Sequence, residues 1–228
     1  MKYQKVDVGH IVFIDPRLAK FDVIKQKGGI LKAGQHAQRL AKSGQSFAIN
    51  GTFFYRGRIL GDLLQLNGSF YETLEIKNKK RYGFAITNYD APTIYSRQVI
   101  LGTGKELEKR FKEMYSIAIG GLGCLISEGK NVASRGVLMD ANGQYFQGDA
   151  IRRTSRPAIG IDKSGIVMIF IATKAMTPNE MAKFMLTYKI TDAIFLDGGR
   201  SSCFAFKGAA FEKGINDPVI PSWLICYE

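Results

Sequence analysis

Histidine is nearly absent from this chain. His10 and His36 are the only two in 228 residues, and neither lies in a glycine-rich or acidic setting. Serine-hydrolase chemistry needs an imidazole base beside its nucleophile, and no Gly-x-Ser-x-Gly turn accompanies these two residues. Ser/His/Asp catalysis is therefore disfavoured, and His36 reads as a surface residue of an amphipathic helix. Cysteine is scarce as well: Cys124, Cys203 and Cys226 are odd in number, far apart and free of any Cys-x-x-Cys pair. That argues against a disulfide framework and against structural zinc, leaving three buried reduced thiols. No apolar run reaches the ~18 residues of a transmembrane helix. Behind the basic start, Asp7, His10, Asp15 and Arg17 interrupt what a secretory signal would keep apolar, so a cytoplasmic location is expected.

Complete phosphate loops are missing too. Gly102-Thr103-Gly104-Lys105 has no upstream glycine, and Glu106 stands where a magnesium-binding Ser or Thr belongs. Glu128-Gly129-Lys130-Asn131 and Gly120-Gly121-Leu122-Gly123 fail in similar ways and read as turns. What the chain has in excess is basic charge, with 32 Lys and Arg against 20 Asp and Glu and a net charge of +12. This favours an anionic partner, a small molecule or a glycan. Part of it, as in Lys77, Lys79, Lys80 and Arg81, reads as solvated surface. No RNP-type aromatic motif, zinc finger or basic zipper accompanies it, so no specific nucleic acid is expected.

Strands dominate the pattern. Ile11–Ile14, Phe47–Ile49, Tyr82–Thr87, Thr93–Tyr95 and Ile117–Ile119 are short apolar or aromatic runs closed by turn residues. The Asn88-Tyr89-Asp90 turn joins the third and fourth of these. Ile166–Ile171 is apolar at every position, which suits a strand covered on both faces. Thr177-Pro178-Asn179-Glu180 supplies an N-cap, a proline at the first helical position and a capping-box glutamate. Met181, Phe184, Met185 and Tyr188 follow at helical spacing, and a loop at Thr191-Asp192 leads into a strand ending at Asp197. Further helices are expected over Leu31–Lys42, closing at Ser43-Gly44, and over Gly104–Tyr115 with Glu106–Arg110 and Glu108–Lys112 pairs. The expectation is one α+β domain over residues 1–228, a mainly antiparallel β-sheet core with a few packed helices.

Three segments end a strand or turn in polar residues. Asn50-Gly51-Thr52-Phe53-Phe54 offers an amide and aromatics to a sugar. Arg152-Arg153-Thr154-Ser155-Arg156 places three arginines in five residues just before a strand, suited to forked phosphate contacts. Ile194-Phe195-Leu196-Asp197-Gly198-Gly199-Arg200-Ser201-Ser202 ends a buried strand in a carboxylate. Its glycines would let a ligand approach main-chain N–H groups.

In this order the three segments resemble the phosphodiester glycosidase family. Its pattern is an Asn-Gly-Gly-Phe-Phe-like segment, then Arg-x-x-Arg-Thr-Ala-Ile-Gly, then Leu-Asp-Gly-Gly-Gly-Ser-Ser. The likeness runs from about Val6 to the C-terminus, including a strand pair over Gly121–Lys130 and the Thr177 helix. Thr52, Pro157 and Arg200 depart from the pattern, the last adding a cation where the family has glycine. The resemblance implies hydrolysis of the bond from a sugar anomeric carbon to a phosphodiester oxygen. Asp197 would be base or nucleophile, with Arg153 and Arg156 gripping the phosphate. Asn50, Gly51, Thr52, Gly198, Gly199, Arg200, Ser201 and Ser202 would complete the substrate site. The substrate expected is anionic, a sugar phosphodiester or a nucleotide-linked sugar. No cofactor is required. Calcium or magnesium fits the oxygen ligands, but no spacing demands either. Asp140 and Asp149 are candidates for a second carboxylate, Asp140 reading rather as a turn residue in Asp140-Ala141-Asn142-Gly143. The alternatives are an exopolysaccharide or cell-wall glycan hydrolase, and a binding module that sequesters an anionic sugar or nucleotide ligand.

Overall fold

The computed structural model describes residues 1–26, 33–41, 46–56, 58–72, 81–97, 103–133, 152–207, 209–212 and 219–227. Lys77, Lys79, Lys80, Gly102, Asp140, Asp149 and both ends expected for the first helix lie outside these. Three antiparallel sheets share one core. The first has seven strands in the spatial order Lys2–Val6, Gly9–Ile14, Val167–Ala172, Pro157–Asp162, Ile190–Phe195, Cys124–Ser127 and Lys130–Asn131. The second runs Pro92–Ser96, Tyr82–Thr87, Tyr115–Gly120, Leu63–Leu64 and Phe70–Tyr71. The third runs Ala209–Glu212, Cys203–Phe206, Phe47–Asn50, Ser222–Tyr227 and Lys20–Lys25. Phe54–Tyr55 and Arg58–Ile59 form a separate hairpin.

Side-chain parity explains the layering. Along Val167–Ala172, Val167, Ile169 and Ile171 enter the core that all three sheets share. Met168, Phe170 and Ala172 face the other way, onto Met181, Ala182 and Met185 of helix Pro178–Leu186. Strands alternate sides with a period of two, so an all-apolar strand must be covered twice. Each of the other sheets is likewise backed by one helix. Lys105–Met114 inserts Leu107 and Phe111 behind the second sheet. Ala33–Leu40 sets Ala37 against Cys203, Ala205 and Trp223 of the third.

The capping box at Thr177 forms as its sequence implies, with Glu180 N–H on Thr177 Oγ1 and Thr177 N–H on the Glu180 carboxylate. Both expected Glu–basic pairs of helix Lys105–Met114 are present, at 2.8 and 2.6 Å. The cysteines are buried and none is in a disulfide, and burial pushes the Cys226 thiol up to about 12. Among the described residues no helix is long and apolar enough to cross a membrane.

Three expectations are corrected. Thr191 and Asp192 lie inside strand Ile190–Phe195, and the chain turns earlier, at Lys189, whose φ is 61°. His36 is packed rather than superficial, its ring centroid 5.2 Å from that of Trp223. Arg81 is no solvated cation: burial lowers it to about 10, partly opposed by the charge of Asp62. Around Asp62 a buried charge cluster forms behind the second sheet. Arg97 donates to Glu72 at 2.8 Å and its Nε lies 3.4 Å from Asp62, while the Tyr95 hydroxyl donates to Asp62 at 3.5 Å.

Loss of water raises the Asp62 carboxyl to about 6, with Glu72 adding repulsion and Arg97 and Arg81 opposing. Unfolded, this group ionises near its ordinary value, so its stabilising contribution is whole below about pH 4 and lost as pH rises through about 6. The stability difference between wild type and Asp62→Asn should therefore move in favour of the variant by on the order of 2 kcal/mol between pH 4 and 6. Denaturant unfolding at stepped pH measures it. A difference constant across that window would contradict the assignment.

Candidate active site

Sheet register brings two of the three polar segments together. Ala158 pairs with Phe195, and Leu196 N–H donates to Pro157 O at 3.0 Å, so residues 152–156 run beside residues 196–199. Gly199 N–H then donates to Ser155 O at 2.7 Å, and Ser202 Oγ donates to the same carbonyl at 2.9 Å. The third segment arrives from another sheet. Asn50 ends strand Phe47–Asn50, and its Nδ2 donates to Asp197 O at 2.9 Å while its Oδ1 accepts Cys203 N–H at 2.9 Å. One buried amide thus fastens the Asp197 turn to the third sheet.

A cavity of about 380 Å³ opens where these segments meet. Asp197, Gly198, Gly199, Arg200 and Ser201 form one wall, Arg152, Thr154 and Arg156 another, and Phe53 and Phe54 a third. Asp197 is half-buried, and its Oδ1 accepts Gly198 N–H at 2.9 Å. Among the described residues it is the one acidic side chain in the lining. Arg156 is 1% exposed, its guanidinium carbon 4.7 Å from the centre of the Phe195 ring, and its Nη2 donates to Arg152 O at 2.9 Å. Arg152 and Arg200 are exposed at the rim.

The residues expected at the site divide into those that reach the cavity and those that build it. Asp197, Arg156, Gly198, Gly199, Arg200 and Ser201 line it. Asn50, Thr52 and Ser202 are fully buried. Gly51 is scaffold: a Cβ there would meet Ser222 Oγ at 2.5 Å, and Ser222 also receives the Thr52 N–H, at 3.1 Å. Arg153 turns away. It pairs with Glu180 and donates to Ala175 O at 3.1 Å, tying the arginine segment to the N-terminus of helix Pro178–Leu186. Backbone and side-chain bonds from Thr177, with Arg153, hold the Glu180 carboxyl below its ordinary value.

Arg152 takes the place expected for Arg153. Thr154 bridges Met176, so this segment is extended, and Arg152, Thr154 and Arg156 share a face at a period of two. That parity was the available signal, and three-residue spacing cannot put two side chains on one face of a strand. The glycines differ from expectation too. Both line the cavity, but Gly198 N–H donates to Asp197 Oδ1 and Gly199 N–H to Ser155 O. A Cβ on Gly198 would lie 2.6 Å from Arg156 Cβ and 2.9 Å from Ser155 O, and Gly199 holds a φ of 68°. They permit close packing of the two walls.

Three solved structures are similar in fold. A zebrafish N-acetylglucosamine-1-phosphodiester alpha-N-acetylglucosaminidase catalytic domain, auto-inhibited by its pro-peptide, matches with a TM-score of 0.68 at 20% identity, covering 96% of this chain and 76% of that one. A hypothetical protein from Synechocystis matches with a TM-score of 0.60 at 15% identity, covering 100% of this chain and 61% of that one. An exported protein, so described, from Burkholderia pseudomallei K96243 gives 0.57 at 11% identity, covering 96% and 73%. At these identities the likeness is one of fold. No curated protein sequence matches. The family model described as phosphodiester glycosidase matches residues 43–223, which span all three segments and every wall of the cavity. This chain belongs to the phosphodiester glycosidase family.

Proposed function

We propose that this chain hydrolyses the bond between the anomeric carbon of a sugar and a phosphodiester oxygen, releasing free sugar and a phosphomonoester. One observation carries the reading: Asp197, the one carboxylate among the described residues of the lining, shares a cavity with the buried guanidinium of Arg156. An ordinary glycoside leaves as a strongly basic alkoxide and needs a second carboxyl group as general acid. A phosphate leaving group is already a weak base. When the C1–O bond breaks, its electron pair stays on the phosphate oxygen, and a fixed cation can stabilise that charge. Arg156, held by Phe195 and by the Arg152 carbonyl, is such a cation.

Asp197 acts at C1, as base toward water or as nucleophile. Both roles require the ionised carboxylate, and in both the oxygen of water ends on C1 and its proton leaves to solvent. Phe53 and Phe54 supply an apolar wall for the C–H face of the sugar, and Ser201 a hydroxyl. Asn50 positions Asp197 without touching substrate. Incubation with sugar 1-phosphodiesters, nucleotide sugars and aryl glycosides tests the proposal. Equal amounts of free sugar and new phosphate ester are expected from the first two groups. Cleavage of aryl glycosides alone would overturn the phosphate-centred reading, and tight binding without turnover would favour the binding-module alternative.

A further inference from the structure

Thr154, Ser155, Ser201 and Ser202 carry hydroxyls where the two polar walls of the cavity meet, and their partners divide them. Ser155 Oγ donates to Ala172 O and Ser202 Oγ to Ser155 O; both residues are fully buried and serve the strand pairing. Thr154 and Ser201 line the cavity instead, 7% and 8% exposed. Among the described residues no hydrogen bond engages either side-chain hydroxyl. A hydroxyl so enclosed ordinarily has a partner, and one left open beside a cavity suits a group carried by the ligand. Thr154 has only its side chain to offer. Its N–H donates to Met176 O at 3.1 Å and its carbonyl accepts Met176 N–H at 3.0 Å. On the other wall stands Gly199, where a Cβ would lie 3.7 Å from Thr154 Oγ1. The glycine leaves that hydroxyl uncovered.

We propose that Thr154 contacts substrate, its hydroxyl donating a hydrogen bond to the departing phosphate beside Arg156. This rests on the hydrolase reading and adds a neutral donor to the cation that holds the leaving group. Thr154 and Arg156 stand two positions apart on one face of an extended segment, so both reach the same part of a ligand. The phenylalanine wall is left to the sugar. An ionised phosphodiester presents only acceptor oxygens, so the hydroxyl acts as donor. When the C1–O bond breaks, its electron pair stays on the phosphate oxygen, and the hydrogen bond strengthens as that charge grows. No proton leaves Thr154, and no P–O bond changes.

Equilibrium binding of methyl phosphate to the intact protein, at constant ionic strength, tests the contact apart from turnover. Thr154→Val keeps the β-branched shape that suits an extended segment and removes only the hydroxyl. Thr154→Ser keeps the hydroxyl. The valine variant should bind methyl phosphate about tenfold or more weakly than wild type, and the serine variant within about threefold of it. The kcat/KM for a sugar 1-phosphodiester should follow the same order. Unchanged affinity in Thr154→Val overturns the proposal, as does a wild type that does not bind the probe. Equal losses in Thr154→Val and Thr154→Ser would make the residue structural and overturn it too. A loss confined to Thr154→Val, in a protein that hydrolyses nothing, would defeat the hydrolase reading and leave the phosphate contact standing.

Discussion

Asp197→Asn should lower kcat/KM for a sugar 1-phosphodiester by about 10³-fold, or about 4 kcal/mol of transition-state stabilisation. The loss should fall on chemistry because the main-chain hydrogen bonds around the turn survive the substitution. The Asp197 carbonyl, not its carboxylate, receives the Asn50 amide, and that bond survives the substitution. The Gly198 N–H on Oδ1 can be accepted by an amide oxygen in the same place. Unfolding should stay cooperative, with stability within about 1 kcal/mol of wild type. Steady-state kinetics beside a denaturant titration separates the outcomes. Near-normal turnover would remove Asp197 from the mechanism, and collapse of the fold would make its role structural.

Gly198→Ala should be nearly as damaging, for a steric reason. The new methyl would sit 2.6 Å from Arg156 Cβ and 2.9 Å from the Ser155 carbonyl, positions fixed by strand pairing rather than by flexible side chains. The walls holding Asp197 and Arg156 must separate. A shift near 1 Å between a carboxylate and the cation it works with costs on the order of 10²-fold in rate, and overpacking costs about 1–3 kcal/mol of stability. Turnover should drop while methyl phosphate still binds, since the variant keeps the Arg156 guanidinium and changes only its spacing from Asp197. Full activity in Gly198→Ala would show that the spacing of the walls is not what the reaction depends on.

Much of the fold is legible in local pattern. The all-apolar run of Val167–Ala172 announces two covered faces, and Thr177-Pro178-Asn179-Glu180 announces a helix start that forms as written. The Asp197 turn stands out because a buried strand seldom ends in an acid, two glycines, a base and two hydroxyls. What local pattern does not convey is which sheet each strand joins. Lys20–Lys25 pairs with Ser222–Tyr227 across nearly the whole chain, and several strands of the second sheet and the hairpin have only two residues, too few for a period to show.

The same limit explains the site. Asn50 looks like a ligand contact from its neighbours, yet strand pairing buries its amide between Asp197 and Cys203, both about 150 positions away. Arg153 looks equivalent to Arg156 until the extended bridge at Thr154 sorts odd from even positions. The charge on Arg81 looks solvated until it meets Asp62, a residue no motif singles out. In each case the deciding partner is remote in sequence.

In the proposed reaction water attacks carbon, not phosphorus. Hydrolysis of a sugar 1-phosphodiester in ¹⁸O-labelled water, with mass analysis of the phosphomonoester, tests it most directly, because phosphate oxygens do not exchange with water under these conditions. With Asp197 acting at the anomeric carbon and Arg156 holding the leaving phosphate, the phosphomonoester should contain no label. Label in that product would mean that the P–O bond breaks, and would contradict the role given to Asp197.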